Sequence, residues 1–261
     1  MESLTDISLK YNTDKSTAHK YTKIYEKYLS SIRNTTLNLL EIGIGGYDNS
    51  EDGGGSLKMW RDYFIKGQII GLDIEKKILN LGKRIHIFQG SQDSKKDLDN
   101  ILSKFHKLDI IIDDGSHLNK HQVKSFELLF PYLNKGGYYF IEDIQSSYIL
   151  NYGGDGFYLN NKKTAINYFK TLIDKINFQE IENQFFQSDY FCKNITEIHF
   201  YHNLIVIKKD DNNEKSNIIL NNRKYPKGKN LLKLRKYIKL IKYFMHLLRS
   251  KYDSLIDKFK F

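Results

Sequence analysis

The sequence predicts an α/β domain built on a seven-stranded, mostly parallel sheet with an antiparallel hairpin at one edge. Three observations carry this. Five short apolar runs, each with the length of a strand, recur up to Asp143. They lack strict alternation, as strands covered on both faces do. Segments with helical spacing separate them, and alternating β and α elements imply a parallel sheet.

The elements follow in order. Residues 14–32 read as a helix ahead of the first strand. The five strands are LNLLEIG (37–43), QIIGLDI (68–74), RIHIFQG (84–90), LDIIIDD (108–114) and GYYFIED (137–143). SLKMWRDYF, SKKDLDNILSKF and LNKHQVKSFELLFPYL supply helices between them. NFQEIENQF and EIHFYHNLIVIKK are expected to pair antiparallel and close the sheet. KYPKGKN reads as a linker, with Pro226 and Gly228 as breakers. Beyond it, Leu231, Leu234, Ile238, Ile241, Met245 and Leu248 alternate by three and four, which sets them on one helical stripe. The expected organisation is an N-terminal helical segment (1–35), a main domain (36–210), a linker (211–230) and a basic amphipathic helical tail (231–261).

The 261 residues carry 41 Lys and Arg against 31 Asp and Glu, a net charge of +10. Residues 223–261 hold thirteen Lys or Arg and two Asp, a balance of +11. The remainder therefore sits at −1, and no nucleic-acid-binding face is expected on the main domain. The basic tail suits peripheral contact with an anionic membrane, or packing in a dimer or against the domain. The single cysteine, Cys192, excludes an intramolecular disulfide and suits a reducing compartment. With no apolar leader at the N-terminus and no spanning run, a cytoplasmic protein is expected, with the tail offering contact with the inner face of the membrane.

EIGIGG (41–46) ends the first strand. Gly43 and Gly45 let the chain turn tightly and let a ligand approach the backbone. Glu41 in that run would repel a pyrophosphate but attract an ammonium, which S-adenosylmethionine (SAM) carries and dinucleotides lack. The plain alternative is an ordinary turn into a helix. Asp73 ends the second strand and can accept from both ribose hydroxyls, or cap a helix before Glu75. Ser91 and Gln92 in GSQD (90–93) follow the third strand, at an adenine edge or in a simple turn. Asp113 ends the fourth strand and is expected to face the methionine end of the cofactor.

DDGSH (113–117) is the most informative run. Asp114, Glu142 and Asp143 would converge from neighbouring strand ends. Clustered carboxylates repel unless a cation or protons intervene. All-oxygen ligands suit Mg2+ or Mn2+. Such an ion would lower the pKa of an acceptor hydroxyl, leaving His117 to take its proton. His121, one helical turn on, formally allows a metal pair with His117, and Glu142 and Asp143 alternatively cap a helix.

Taken together, these runs resemble the metal-dependent macrolide-sugar O-methyltransferases, the group that methylates mycinamicin and macrocin sugars. The resemblance covers residues 11–156. It rests on YNTDKSTAHKYTKIYEKYL, LLEIGIGGYDNSEDGGGSLKMWRDYF, GLDI, FQGSQ, DIIIDDGSH, FELLFPYLNKGGYYFIEDIQSSY and GGDG. It implies a Rossmann-like class I methyltransferase fold, SAM as cofactor and a requirement for Mg2+. It implies Asp114, Glu142 and Asp143 as metal ligands, His117 as base, and an N-terminal segment with Thr13, Lys15 and His19 folded over the cofactor. Ser56, in the second of these runs, joins the expected cofactor contacts. Gln145, Tyr148 and Tyr152 are expected at the acceptor. No counterpart of the long N-terminal domain of some of these proteins is expected, and the basic tail departs from them. The acceptor expected is therefore a sugar of bacterial surface polysaccharide, as a nucleotide-linked hexose or heptose. The alternatives are a macrolide-type or other natural-product glycoside, or a non-catalytic membrane-surface protein working through its tail. A related branch, the cephalosporin-hydroxylase-like proteins, would need a two-His, one-carboxylate iron site. A homo-oligomer is expected.

Overall fold

A computed structural model describes residues 2–181, 183, 185–216 and 237–249. The chain forms two compact units, Met1–Ser216 and Asn217–Phe261. The first holds one seven-stranded sheet made of β1 (Asn38–Ile42), β2 (Gln68–Asp73), β3 (Ile85–Gln89), β4 (Leu108–Asp113), β5 (Leu133–Ile141), β6 (Ile195–Tyr201) and β7 (Leu204–Lys209). The strand order is β3-β2-β1-β4-β5-β7-β6. The first five run parallel, and β7 pairs antiparallel with both β5 and β6. The chain reverses direction across the sheet between β3 and β4, and open α/β sheets bind ligands at such a switch, beyond the carboxyl ends of the strands.

Strand residues alternate between two cores. Leu40, Ile42, Ile111, Tyr139 and Ile141 join α4 (Lys95–Phe105), α5 (Asn119–Leu129) and α6 (Ala165–Ile176) on one face. Leu39, Ile110, Ile112 and Phe140 join α1 (Leu4–Lys10), α2 (Tyr21–Leu29) and α3 (Gly55–Tyr63) on the other. Both faces are covered, which is why the strands read as unbroken apolar runs.

Two expectations are corrected. The edge hairpin lies wholly within residues 195–209, where His202 and Asn203 make the turn and Asn203 takes the left-handed φ of 62°. A two-residue connection closes a short loop at small entropic cost, so this adjacent pair wins over a distant partner. NFQEIENQF instead carries the 3-10 turn Phe178–Glu180 and no strand among the described residues. The first long helix starts at Tyr21, and residues 11–19 form turns whose N–H groups bond to the Ser8, Leu9 and Asp14 carbonyls. Those turns drive Lys15 inward. The second unit contributes a helix over residues 237–249, which carries Ile238, Ile241, Met245 and Leu248 of the expected stripe. Leu231 and Leu234 lie outside the described residues.

Candidate active site

The carboxyl ends of β1, β4 and β5 meet in register. Asp114 N–H donates to the Ile42 carbonyl at 3.0 Å, and Glu142 N–H to the Asp113 carbonyl at 2.9 Å. Gly43, at φ +81°, permits this closeness, since a Cβ there would sit 2.1 Å from the Asp114 carbonyl oxygen. Three carboxylates are thereby brought onto one ammonium. Lys15 Nζ lies 2.6 Å from Asp114 Oδ2, 2.7 Å from Glu142 Oε1 and 3.1 Å from Glu41 Oε1, and its side chain is 1% exposed. Tyr25 also donates its hydroxyl to Glu142 Oε1. Burial works against the Lys15 charge, but Asp114, Glu142 and Glu41 outweigh it and hold the ammonium protonated. One cation cannot neutralise three acids, two of them fully buried. Burial, with Asp114 beside it, pushes Glu142 well above the usual carboxylate range.

Asp143 stands beyond this buried knot. Tyr21 donates its hydroxyl to Asp143 Oδ1 at 2.8 Å, with His19 Nδ1 3.7 Å from the same oxygen and His117 Nε2 3.7 Å from Oδ2. His117 and Asp143 both adopt left-handed backbone, with φ of 55° and 54°. Such conformations cost on the order of 1 kcal/mol or more for side-chain-bearing residues and gather at functional sites. Ligating atoms of Asp114, His117 and Asp143 all fall within 4.8 Å of one another. Glu142 is not in that group, because its carboxylate turns inward to Lys15 and Tyr25. His117 Nδ1 is buried without a hydrogen-bond partner. His121 turns away, to Asp93 at 3.3 Å and to the Ser116 hydroxyl at 2.8 Å, so no His117–His121 pair forms.

The other expected residues divide between the open turn and the interior. Ser56 donates to Glu41 Oε2 at 2.7 Å, and Glu41 is wholly buried. Asp73 accepts from the N–H groups of Ile44 and Glu75, tying β2 to the glycine turn. At Gly45, φ +74°, an added Cβ would meet nothing nearer than 3.9 Å, so the turn is open on that side. Ser91 donates to Asp93 at 2.6 Å. Gln92 donates to Asp113 Oδ1 at 2.9 Å and accepts from Ser116 N–H at 2.8 Å, so both Gln92 and Asp113 brace the interior. Asp113, expected to face a ligand, faces the α5 layer because its parity on β4 matches Ile111. Thr13 is buried and accepts from Lys15 N–H. Lys15 itself reaches the acids instead of covering a ligand. Gln145 keeps a buried Oε1 without a partner. Tyr152 places its ring centroid 6.5 Å from that of His117, and Tyr148 is exposed.

Tyr21 and Tyr25 escaped the sequence reading. The spacing Tyr21, Tyr25, Tyr28 was the available signal, since residues four and three apart share a helix face. A separate cavity of about 500 Å³, lined by residues between Lys77 and Ile87, takes in none of these groups.

No family model matches the chain. The mycinamicin VI 2''-O-methyltransferase of Micromonospora griseorubida is 40% identical over 81% of this chain and 53% of its own length. The demethylmacrocin O-methyltransferase of Streptomyces fradiae is 38% identical over 81% and 54%. A solved structure of the MycE methyltransferase from the mycinamycin biosynthetic pathway, in complex with Mg and SAH, is 37% identical with a TM-score of 0.81. It covers 86% of this chain and 58% of its own. The chain thus spans about half the length of the curated relatives it matches. Over that shared portion, with its class I methyltransferase fold, the chain belongs to the mycinamicin and macrocin type of sugar O-methyltransferases.

Proposed function

We propose that the protein is a SAM- and Mg2+-dependent O-methyltransferase acting on a sugar hydroxyl of a glycosylated small molecule. The observation that carries this is the convergence of Asp114, His117 and Asp143 beside an open glycine turn. The donor set fits a hard divalent ion, since its two carboxylates supply oxygen ligands and leave room for water and a hydroxyl. Asp114 and Asp143 would hold the ion. When bound, it supplies Lewis-acid polarisation of the acceptor hydroxyl. The glycine turn and Asp73 fit the donor, because Gly43 and Gly45 leave the backbone free of side chains at the end of β1.

His117 stands within reach of a hydroxyl placed between Asp114 and Asp143. Its Nε2 receives the hydroxyl proton as the acceptor oxygen forms the new C–O bond and the C–S bond of the donor breaks. Transfer requires oxygen, carbon and sulfur in line, so most of the rate arises from positioning. Tyr21 orients Asp143 through its hydroxyl, and Lys15 with Tyr25 fixes Glu142 out of the way.

Tyr152, whose ring stands near His117, belongs to a loop with several exposed apolar residues. Leu150, Tyr152, Phe157 and Tyr158 are all exposed in the loop that follows β5. Such a lip suits a hydrophobic aglycone better than a hydrophilic polymer. A relative named for a glycoside acceptor supports this reading: the 8-demethyl-8-(2-methoxy-alpha-L-rhamnosyl)-tetracenomycin-C 3'-O-methyltransferase of Streptomyces olivaceus is 39% identical over 75% of this chain. The surface-polysaccharide acceptor expected from the sequence has no counterpart among these relatives, and the glycoside alternative is the better supported. His117→Ala is expected to lower turnover roughly 10²- to 10⁴-fold while leaving SAM affinity unchanged. EDTA is expected to abolish turnover and Mg2+ to restore it. Full turnover in either case refutes the corresponding role.

A further inference from the structure

We propose that the helix over residues 237–249 is an interfacial anchor that binds the chain to anionic lipid surfaces. Its sequence is YIKLIKYFMHLLR. Lys239, Lys242, His246 and Arg249 are its polar residues, spaced by three, four and three. At 100° per residue they fall within an arc of roughly 80°. The other nine positions are aliphatic, aromatic or Met and fill the rest of the helix surface. There is no Asp or Glu in this span.

This is not the pattern of a helix made for water. Ile241, Phe244, Met245 and Leu248 are each about 60% exposed, at 61%, 58%, 63% and 62%. An ordinary solvated helix keeps one apolar stripe and covers it. Here the apolar part is wider than the polar part and lies open. The thirteen described residues at 1.5 Å each span about 20 Å, and their polar arc on one side with apolar residues on the rest suits a helix lying along a bilayer surface. Among the described residues no helix is long and apolar enough to span a membrane.

Charge selects the occupant. Residues 223–261 carry +11 while the rest of the chain is near neutral, so attraction to an anionic surface is concentrated where the apolar face is. A second copy of this helix would bring like charges together. A lipid surface with negative headgroups satisfies both faces at once: acyl chains take Ile241, Phe244 and Leu248, and headgroups take Lys239, Lys242 and Arg249. For an enzyme whose acceptor has an apolar body, such anchoring raises the local supply of membrane-partitioned acceptor. That corollary rests on the proposed function, whereas the anchor itself does not.

Vesicle flotation of the full chain tests the proposal, with phosphatidylcholine alone and phosphatidylcholine mixed with phosphatidylglycerol. Binding to the anionic vesicles is expected to be at least about tenfold stronger, and to weaken as salt screens the headgroups. Ile241→Asp with Phe244→Asp, and separately Lys239→Glu with Lys242→Glu, are expected to abolish it. Both variants should keep the wild-type thermal transition and SAM binding, since none of these positions belongs to the first unit. Equal binding to both vesicle types overturns the role of charge. Wild-type binding by either double variant overturns the assignment to this helix. Failure to float overturns the proposal outright, and sedimentation showing self-association lost in Ile241→Asp with Phe244→Asp would assign the helix to a second copy.

Discussion

Asp113 and Asp114 stand side by side at the end of β4 and face opposite layers of the molecule. Asp113 turns to the α5 side and receives only neutral donors. Gln92 donates at 2.9 Å, the Ser125 hydroxyl donates to Oδ2, and the Tyr139 hydroxyl stands at 3.5 Å. Burial pushes its pKa up to about 6, although Ser125 and Gln92 pull the other way. Asp114 turns to the α2 side and meets the buried ammonium of Lys15. Its neighbours there are acids, and its side chain keeps 23% exposure toward His117 and Asp143. The contrast teaches what each layer does. Neutral donors can hold a carboxylate in place. A shared cation lets several carboxylates crowd together while one edge stays open to a ligand.

The sharpest way to break this contrast is to remove the cation. Lys15→Met deletes the charge and keeps much of the volume, leaving Glu41, Asp114 and Glu142 to face one another. Breaking a buried ion pair by removing one partner typically costs about 3–5 kcal/mol. Urea unfolding at pH 7 should show a loss of that order. Much of it should return at pH 4, where the acids neutralise themselves by protonation. A variant as stable as the wild type at pH 7 would mean that the acids do not depend on Lys15.

The second test acts on the neutral side. The Asp113 pKa is raised in the folded state from about 3.8 to about 6. The folded state thus holds this proton more tightly than the unfolded chain does. The resulting stability is fully present below the unfolded pKa and is lost as pH rises through about 6. The window is therefore pH 4 to 7, and two pKa units correspond to on the order of 3 kcal/mol. Asp113→Asn abolishes the titration. The stability of the wild type minus that of the variant should increase by this order as pH falls from 7 to 4. A difference that stays flat across the window would show that Asp113 is not held as described.

These two acids also mark how far the sequence could be read. Strand ends, the glycine turn and the acids at 113–114 and 142–143 were legible because strands buried on both faces announce themselves as apolar runs. The direction of Asp113 was misread toward the cofactor, although the parity that places it with Ile111 on the α5 side was available. The hairpin partner was misplaced because NFQEIENQF has enough apolar residues to pass for a strand, while the turn at His202 and Asn203 gives a weak local signal. Lys15 was expected over a cofactor. A lysine 99 residues before its aspartate partner offers no pattern, and only the fold of the turns at 11–19 against the end of β4 reveals it. Tyr21 and Tyr25 carry no motif of their own, and their hydroxyls matter only once β5 is known to end beneath them.

Tyr21→Phe offers the smallest and most selective test, because it touches the open edge of the acid cluster and leaves the Lys15 knot intact. Tyr21 donates to Asp143 Oδ1 at 2.8 Å and lies at 3.2 Å from the Asn203 carbonyl. Burial, with Asp143 beside it, raises its pKa, so the phenol stays protonated and remains a donor. Phenylalanine keeps the ring and its stacking on His19, whose centroid is 4.8 Å away. The stability cost should be about 1 kcal/mol, the net worth of one such hydrogen bond. The functional effect should fall on the metal. Asp143 loses the donor that fixes its second oxygen, and loss of an outer partner of a ligand typically weakens metal affinity roughly 10- to 100-fold. Titration with Mn2+ followed by its paramagnetic resonance reads that affinity without turnover. Unchanged Mn2+ affinity alongside the small stability loss would make Tyr21 a packing residue, and would move the ion's site away from Asp143.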